Sequence, residues 1–133
     1  MRIVLDTDVA SNILKGKLDP AFRAQIAPHQ AAITFVTVGE LMKWAYVRDL
    51  GARRRSDLHA FIESRPKIPG GNDVGRKWGE ITAYADRRGR PRPINDSWIA
   101  ACCLVYDLPL ATLNKLDFAD YAEYEGLRLL APG

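Results

Sequence analysis

Apolar positions along this chain follow two rhythms. Short runs, IVL at 3–5, AAITF at 31–35, PLATL at 109–113 and LRLL at 127–130, predict buried strands. Between them, apolar residues recur every three or four positions, the spacing of an amphipathic helix. A helix is expected over 9–16, and a second over 20–27, where Asp19 is the cap and Pro20 suits the first turn. Thr37 is expected to cap a helix through about 50, with Leu41, Met42, Ala45, Tyr46 and Leu50 as its apolar stripe and Gly51 ending it. Leu58, Phe61 and Ile62 mark a helix over 54–64. Val74, Trp78, Ile81, Tyr84 and Ala85 mark another over 74–88, capped by Asn72 or Asp73. Residues 65–71, RPKIPGG, form a connection with room for one very short strand around Ile68, and 89–93 form a loop. Asp96 sits where an N-cap would, ahead of SWIAACCLVYDL.

None of the strand runs shows a clean alternation of apolar and polar residues. Strands buried on both faces and alternating with helices predict an α/β fold with a parallel sheet covered on two sides. The 133 residues suit one domain, and neither an internal repeat nor an inter-domain linker breaks the range 1–133.

Charge changes this picture more than composition does. The net charge of +3 conceals a division: residues 43–92 hold 13 of the 19 basic side chains against 6 acids, and the remainder is acidic on balance. Arg53, Arg54 and Arg55 form one basic cluster; Arg87, Arg88, Arg90 and Arg92 form another. Together they point to a polyanionic partner, without distinguishing RNA from DNA. No apolar stretch approaches the roughly 20 residues needed to cross a bilayer. Asp6 interrupts the apolar start, which does not fit a signal peptide. The adjacent Cys102 and Cys103 read as core fillers in a reducing compartment, so the expected location is cytoplasmic and no membrane partner is expected.

The acids supply the candidate chemistry. In an open α/β sheet, ligands lie beyond the carboxyl ends of the strands. Asp6 follows the first strand, Glu40 lies in the turn after the second, and Asp96 starts the helix that feeds the third. Asn114 and Asp117 follow that third strand directly. Each acid has an ordinary reading alone: an Asx turn for Asp6, a capping box with Thr37 for Glu40, an N-cap for Asp96, and a turn for Asp117. Local caps do not require all four to converge, however. Clustered carboxylates repel one another unless a divalent cation neutralises them, and oxygen ligands suit Mg²⁺ or Mn²⁺. His29 and His59 lie outside these motifs, which argues against imidazole-ligated zinc and against histidine-based acid–base chemistry.

VLDTDVAS at 4–11, VTVGEL at 36–41, INDSWIAACC at 94–103 and TLNKLDF at 112–118 resemble the PIN-domain family, and within it the small ribonuclease toxins of VapC type. The resemblance spans nearly the whole chain. It implies a three-layer α/β/α sandwich and a Mg²⁺- or Mn²⁺-dependent endoribonuclease with Asp6, Glu40, Asp96 and Asp117 as metal ligands. Thr7, Thr37 and Asn114 match supporting polar positions. It also implies RNA as substrate, a small antitoxin protein as partner, and a homodimer, with the two arginine clusters positioning the RNA backbone. Trp44, Tyr46 and Trp78 are expected in core or dimer packing, the alternative being a base-stacking role. Asp8 is a departure from the family pattern; it is expected to cap the helix from Val9, the alternative being added negative charge at the rim of the site. Asp120 is expected to be a solvated helix acid. Two other readings remain at this point. One is a noncatalytic RNA- or antitoxin-binding domain. The other is a haloacid-dehalogenase-like phosphatase using DTDV, for which no convincing late acidic motif is present; a receiver-type phosphoacceptor lacks an aspartate after a middle strand.

Overall fold

Ile3 and Leu5 enter one hydrophobic core and Val4 the other, and all three are completely buried. The next strand divides in the same way, Ala31 and Ile33 to one side and Ala32 to the other. That division makes three layers, and it explains why these runs lack a polar face: period-two alternation is present, but both faces are apolar.

The computed structural model describes residues 1–133. β1 (Arg2–Leu5) leads to α1 (Thr7–Leu14) and α2 (Pro20–Ile26). β2 (Gln30–Thr34) leads to α3 (Phe35–Arg48) and α4 (Ala52–Ser64). β3 (Lys67–Ile68) precedes α5 (Asn72–Arg87) and α6 (Ile94–Tyr106); β4 (Leu110–Ala111), α7 (Lys115–Glu125) and β5 (Leu129–Leu130) complete the chain. The sheet order is β3-β2-β1-β4-β5, with every neighbouring pair parallel. The chain builds outward from β1 in one direction through β2 and β3, then crosses back to lay β4 on its other side. The crevice beyond the ends of β1 and β4 is therefore the topological switch point, where open parallel sheets bind ligands.

The α/β fold with a parallel sheet is as expected, including the very short strand at Ile68. Several helix starts are not. The cap of α3 is Thr34, whose hydroxyl accepts from the Thr37 N–H at 3.3 Å; Thr37 lies inside the first turn, and Phe35 belongs to the helix instead of the strand. The cap of α1 is Asp6, which accepts from the Val9 N–H at 2.8 Å, so Asp8 is a first-turn residue and not the cap. Pro93 precedes α6 and leaves Asp96 inside its first turn. Gly71, not Asn72 or Asp73, precedes α5. Gly51 precedes α4 instead of ending α3, which stops at Asp49 in a left-handed conformation (φ 50°). Asp19 caps α2 as expected, accepting from the Phe22 N–H. Tyr46 and Tyr84 leave their expected apolar stripes and are exposed. Trp44 packs against the core on the α1 side and Trp78 against the core on the α6 side. No helix is long and apolar enough to cross a membrane.

Candidate metal centre

β1 ends in apolar residues because it is central and covered on both faces. Its continuation, Asp6, is the first polar side chain past the buried run and is itself only 5% exposed. One Asp6 oxygen accepts from the Val9 N–H, which anchors the carboxylate at the positive end of α1. Parallel pairing brings the ends of β2 and β4 to the same edge. α6 runs back toward the start of β4, so its first turn also opens there.

Asp6, Thr7, Asp8, Glu40, Asp96, Asn114 and Asp117 line a single cavity of about 240 Å³, with Ile99 and Phe118 as its apolar wall. Five carboxylates face this space and no lysine or arginine does. All four acids singled out in the sequence, with Thr7 and Asn114, are thus brought together. Thr37 stands behind them, its hydroxyl 3.0 Å from that of Thr7. The Thr7 hydroxyl donates to one Glu40 oxygen at 2.6 Å, and the Asn95 amide approaches the other at 3.4 Å. Glu40 therefore makes no capping box; both of its oxygens are engaged across the crevice by α1 and α6.

The electrostatic strain is legible in two groups. Burial pushes the Asp6 carboxyl up to about 6; hydrogen bonds from Thr112 and Val9 pull it back, while Asp8 and Asp96 add repulsion. Burial also pushes Asp96 up to about 6, reinforced by the negative charges of Asp117, Glu40 and Asp8. The donor set is entirely oxygen and strongly anionic, which suits a hard divalent cation in both chemistry and charge. The carboxylates are not closed around a common point: no three Asp, Glu, His or Cys side chains stand where they could hold an ion together. His29 and His59 are absent from the cavity lining.

A latch fastens two of the elements that carry these acids. The hydroxyls of Ser97 on α6 and Tyr121 on α7 lie 2.8 Å apart, both residues completely buried. Arg92, just before α6, donates to Asp120 at 3.0 Å and to Glu125 at 2.6 Å, and its guanidinium lies 4.2 Å from the centre of the Tyr121 ring. Asp120 is thus an ion-pair partner and not a solvated acid. The Arg92 side chain is 4% exposed, so it is committed to α7 and withdrawn from the surface. Arg88 is half-buried beside the same two acids. Arg87 and Arg90 are exposed. On the opposite side of the sheet, Arg53 is exposed, Arg55 pairs with Asp49 and Arg54 lies over Trp44. The two arginine clusters consequently occupy different helical layers and line no part of the acidic cavity.

Two contributors are missing from the sequence reading: Asn95, there only a neighbour of Asp96, and Thr112, there part of a strand. Asp8 takes the alternative to its expected cap and stands at the rim of the site. Thr112 carries the signal that found Asp6, a polar residue at the end of an apolar run next to the switch point.

The PIN domain family matches residues 3–124. Ribonuclease VapC5 of Mycobacterium tuberculosis (strain ATCC 25618 / H37Rv) is 33% identical over 120 residues, spanning 87% of this chain and 84% of the relative. VapBC-5 from M. tuberculosis, a member of the VapBC family of toxin–antitoxin systems, matches with a TM-score of 0.71 and 28% identity over 98% of each chain. VapBC2 from Rickettsia felis, solved bound to a DNA fragment from its promoter, matches with a TM-score of 0.85 over the whole of both chains; at 18% identity that likeness concerns the fold.

Proposed function

The chain belongs to the PIN-domain family and is homologous to the VapC toxins of VapBC systems, and on that ground we propose that it is a Mg²⁺- or Mn²⁺-dependent endoribonuclease, the toxin of a toxin–antitoxin pair. The observation that carries this reading is the cavity in which five carboxylates meet with no basic partner. Such a grouping is unfavourable unless a cation completes it. Asp6, Glu40, Asp96 and Asp117 would hold the ion by rotating inward, since no three are yet set to do so. When bound, a divalent cation neutralises charge on a phosphodiester and acidifies water beside it.

The chain's own residues supply the rest. The Val9 N–H holds the Asp6 carboxylate in one orientation. Thr7 and Asn95 restrain Glu40, while the α6–α7 latch sets Asp96 against Asp117. Asp8 is exposed at the cavity rim and adds negative charge without being buried. Water, not the ribose 2′-hydroxyl, is the expected nucleophile, so the products would carry 5′-phosphate and 3′-hydroxyl ends. The exposed Arg53, Arg87 and Arg90 remain available to meet an RNA backbone farther from the cavity; Arg92 is already paired. An antitoxin partner is part of the same proposal, supported by the likeness to VapBC-5, a member of the VapBC family of toxin–antitoxin systems; a homodimer is part of it on the resemblance to the VapC family.

The phosphatase reading lapses with the family. A noncatalytic binding domain draws its one support from the unclosed arrangement of the acids. An RNA-cleavage assay with and without Mg²⁺ or Mn²⁺ separates the two. We expect metal-dependent cutting that drops at least 100-fold in D96N and D6N. Cleavage that persists in EDTA, or full activity in either variant, would sink the nuclease mechanism; binding without any cutting would favour the noncatalytic domain.

A further inference from the structure

A second cavity, of about 360 Å³, adjoins the acidic one and shares Glu40 with it. Its walls include Phe35 and Lys43 from α3 and Asn95 and Trp98 from the first turns of α6. We propose that this cavity seats a nucleobase of single-stranded RNA, one nucleotide away from the phosphate held at the carboxylates; the proposal rests on the nuclease reading and specifies how its substrate is gripped.

The chemistry of the walls matches a base and its phosphate together. Trp98 is stacked on Trp78, with ring centres 4.8 Å apart and planes 10° from parallel, so the wall is braced before any ligand arrives. Phe35 meets Trp98 edge-on, with ring centres 6.0 Å apart, and is 41% exposed although it sits beside a core position. An exposed aromatic ring against a rigid aromatic wall is a stacking platform, and such platforms hold splayed-out bases. Asn95 offers an amide that can both donate to and accept from a base edge. Lys43 supplies the one cation of the cavity, suited to the adjoining backbone phosphate.

The backbone reserves the place of the Phe35 ring. A Cβ built at Gly70 would stand 3.0 Å from the ring's Cε1, so a side chain at 70 would press the ring aside by a few tenths of an ångström. Gly39, on the cavity wall, has no such crowding: an added Cβ there meets nothing within 4 Å. Because Glu40 borders both cavities, a strand whose phosphate lies at the carboxylates has a neighbouring base within reach of Phe35. The order of the strand through the site follows: acid cavity for the scissile phosphate, aromatic cavity for the adjacent base.

The test is fluorescence anisotropy with a labelled five-nucleotide single-stranded RNA and with an abasic strand of the same length. Ca²⁺ takes the place of Mg²⁺ or Mn²⁺ so that the carboxylates are neutralised, the strands being checked as intact after each titration. Phe35→Ala is expected to weaken RNA binding about 10-fold and to leave the abasic strand unchanged. Gly70→Ala, which shifts the ring by only a few tenths of an ångström, is expected to weaken binding much less than Phe35→Ala. Lys43→Ala should weaken both strands. The proposal is overturned if Phe35→Ala affects the two strands equally or affects neither, with the fold of the variant checked by circular dichroism. It is also overturned if Phe35→Ala or Gly70→Ala converts an oligomer to monomers in light scattering while leaving RNA affinity unchanged, which would make the cavity a contact between copies. Base-dependent binding by a protein that never cuts RNA would remove the nuclease reading and keep the base site. Metal-dependent cutting with unchanged binding and cleavage position in Phe35→Ala would do the reverse.

Discussion

Asp6 carries two duties on one carboxylate. It caps α1 through the Val9 N–H, and it borders a cavity where four other acids oppose its charge. The cap favours an oxygen at that position, whereas the cavity disfavours a negative one. Asparagine keeps the accepting oxygen and removes the charge, so Asp6→Asn is expected to make the metal-free protein more stable at pH 7. Because the folded-state carboxyl sits near 6, above its ordinary value of 3.8, its contribution to stability is fully present below about pH 4 and is lost as pH rises through 6. The gain in Asp6→Asn should therefore be up to about 3 kcal/mol at pH 7 and should vanish near pH 4. Urea unfolding in EDTA across that range measures it. Asp6→Ala, which lacks the cap as well, should recover about 1 kcal/mol less than Asp6→Asn. The same dual use takes the cap away from Asp8: one residue decides where a cap falls, and a strand's last hydrogen bond decides that residue. Asp6 N–H donates to the Ala111 carbonyl on β4, a long-range bond that no local pattern announces.

At the level of elements, α6 and α7 matter most, because each presents a carboxylate whose charge repels the other's. The repulsion between Asp96 and Asp117 is met by the buried Ser97–Tyr121 hydrogen bond and by the Arg92 bridge to Asp120 and Glu125. Arg92→Ala would leave two largely buried carboxylates with only the longer Arg88 contacts, at 3.7 and 3.9 Å, a loss of about 2–3 kcal/mol. It should also weaken divalent-cation binding, since the two helix starts can then drift apart. Tyr121→Phe removes one hydrogen bond while Ser97 keeps its bond to the Pro93 carbonyl, so the loss should be near 1 kcal/mol. Chemical unfolding together with Mn²⁺ titration calorimetry reads both effects; unchanged Mn²⁺ affinity in folded Arg92→Ala would remove the positioning role. From the sequence, Arg92 looked like part of a basic surface cluster. Its acidic partners lie 28 and 33 residues later, beyond the reach of any helical spacing rule. Helix starts were displaced for a related reason. Thr34 and Thr37 are equally good caps by residue type, and the pairing of Thr34 with Ile68 on β3 determines that the strand runs as far as Thr34.

Taken as a whole, the molecule places most of its excess positive charge on outer helices and its negative charge in the central crevice. Folding alone leaves that crevice electrostatically unsatisfied, so cation binding and stability should be coupled. At a hundredfold excess over Kd, Mg²⁺ or Mn²⁺ is expected to stabilise the protein by about 2.7 kcal/mol, raising Tm by about 10 °C. Asp96→Asn should abolish most of that rise in a thermal scan, whether or not RNA is present; an equal rise in the variant would place the cation elsewhere. That acids stand just past the apolar strands or open the helix feeding one is legible in the sequence, because a strand buried on both faces can become polar only where it ends and parallel strands all end on the same side. That Asp6, Glu40, Asp96 and Asp117 meet in one cavity is decided by the closing of the layers. The apolar rhythm likewise contained the fold class, since a strand without a polar face must be covered twice. Local pattern could not say which threonine caps α3, that Arg92 serves α7, or that Phe35 leaves the strand and stands beside Trp98. Those assignments depend on contacts between residues far apart in the chain, where the balance of burial and pairing is settled only once the layers have closed on one another.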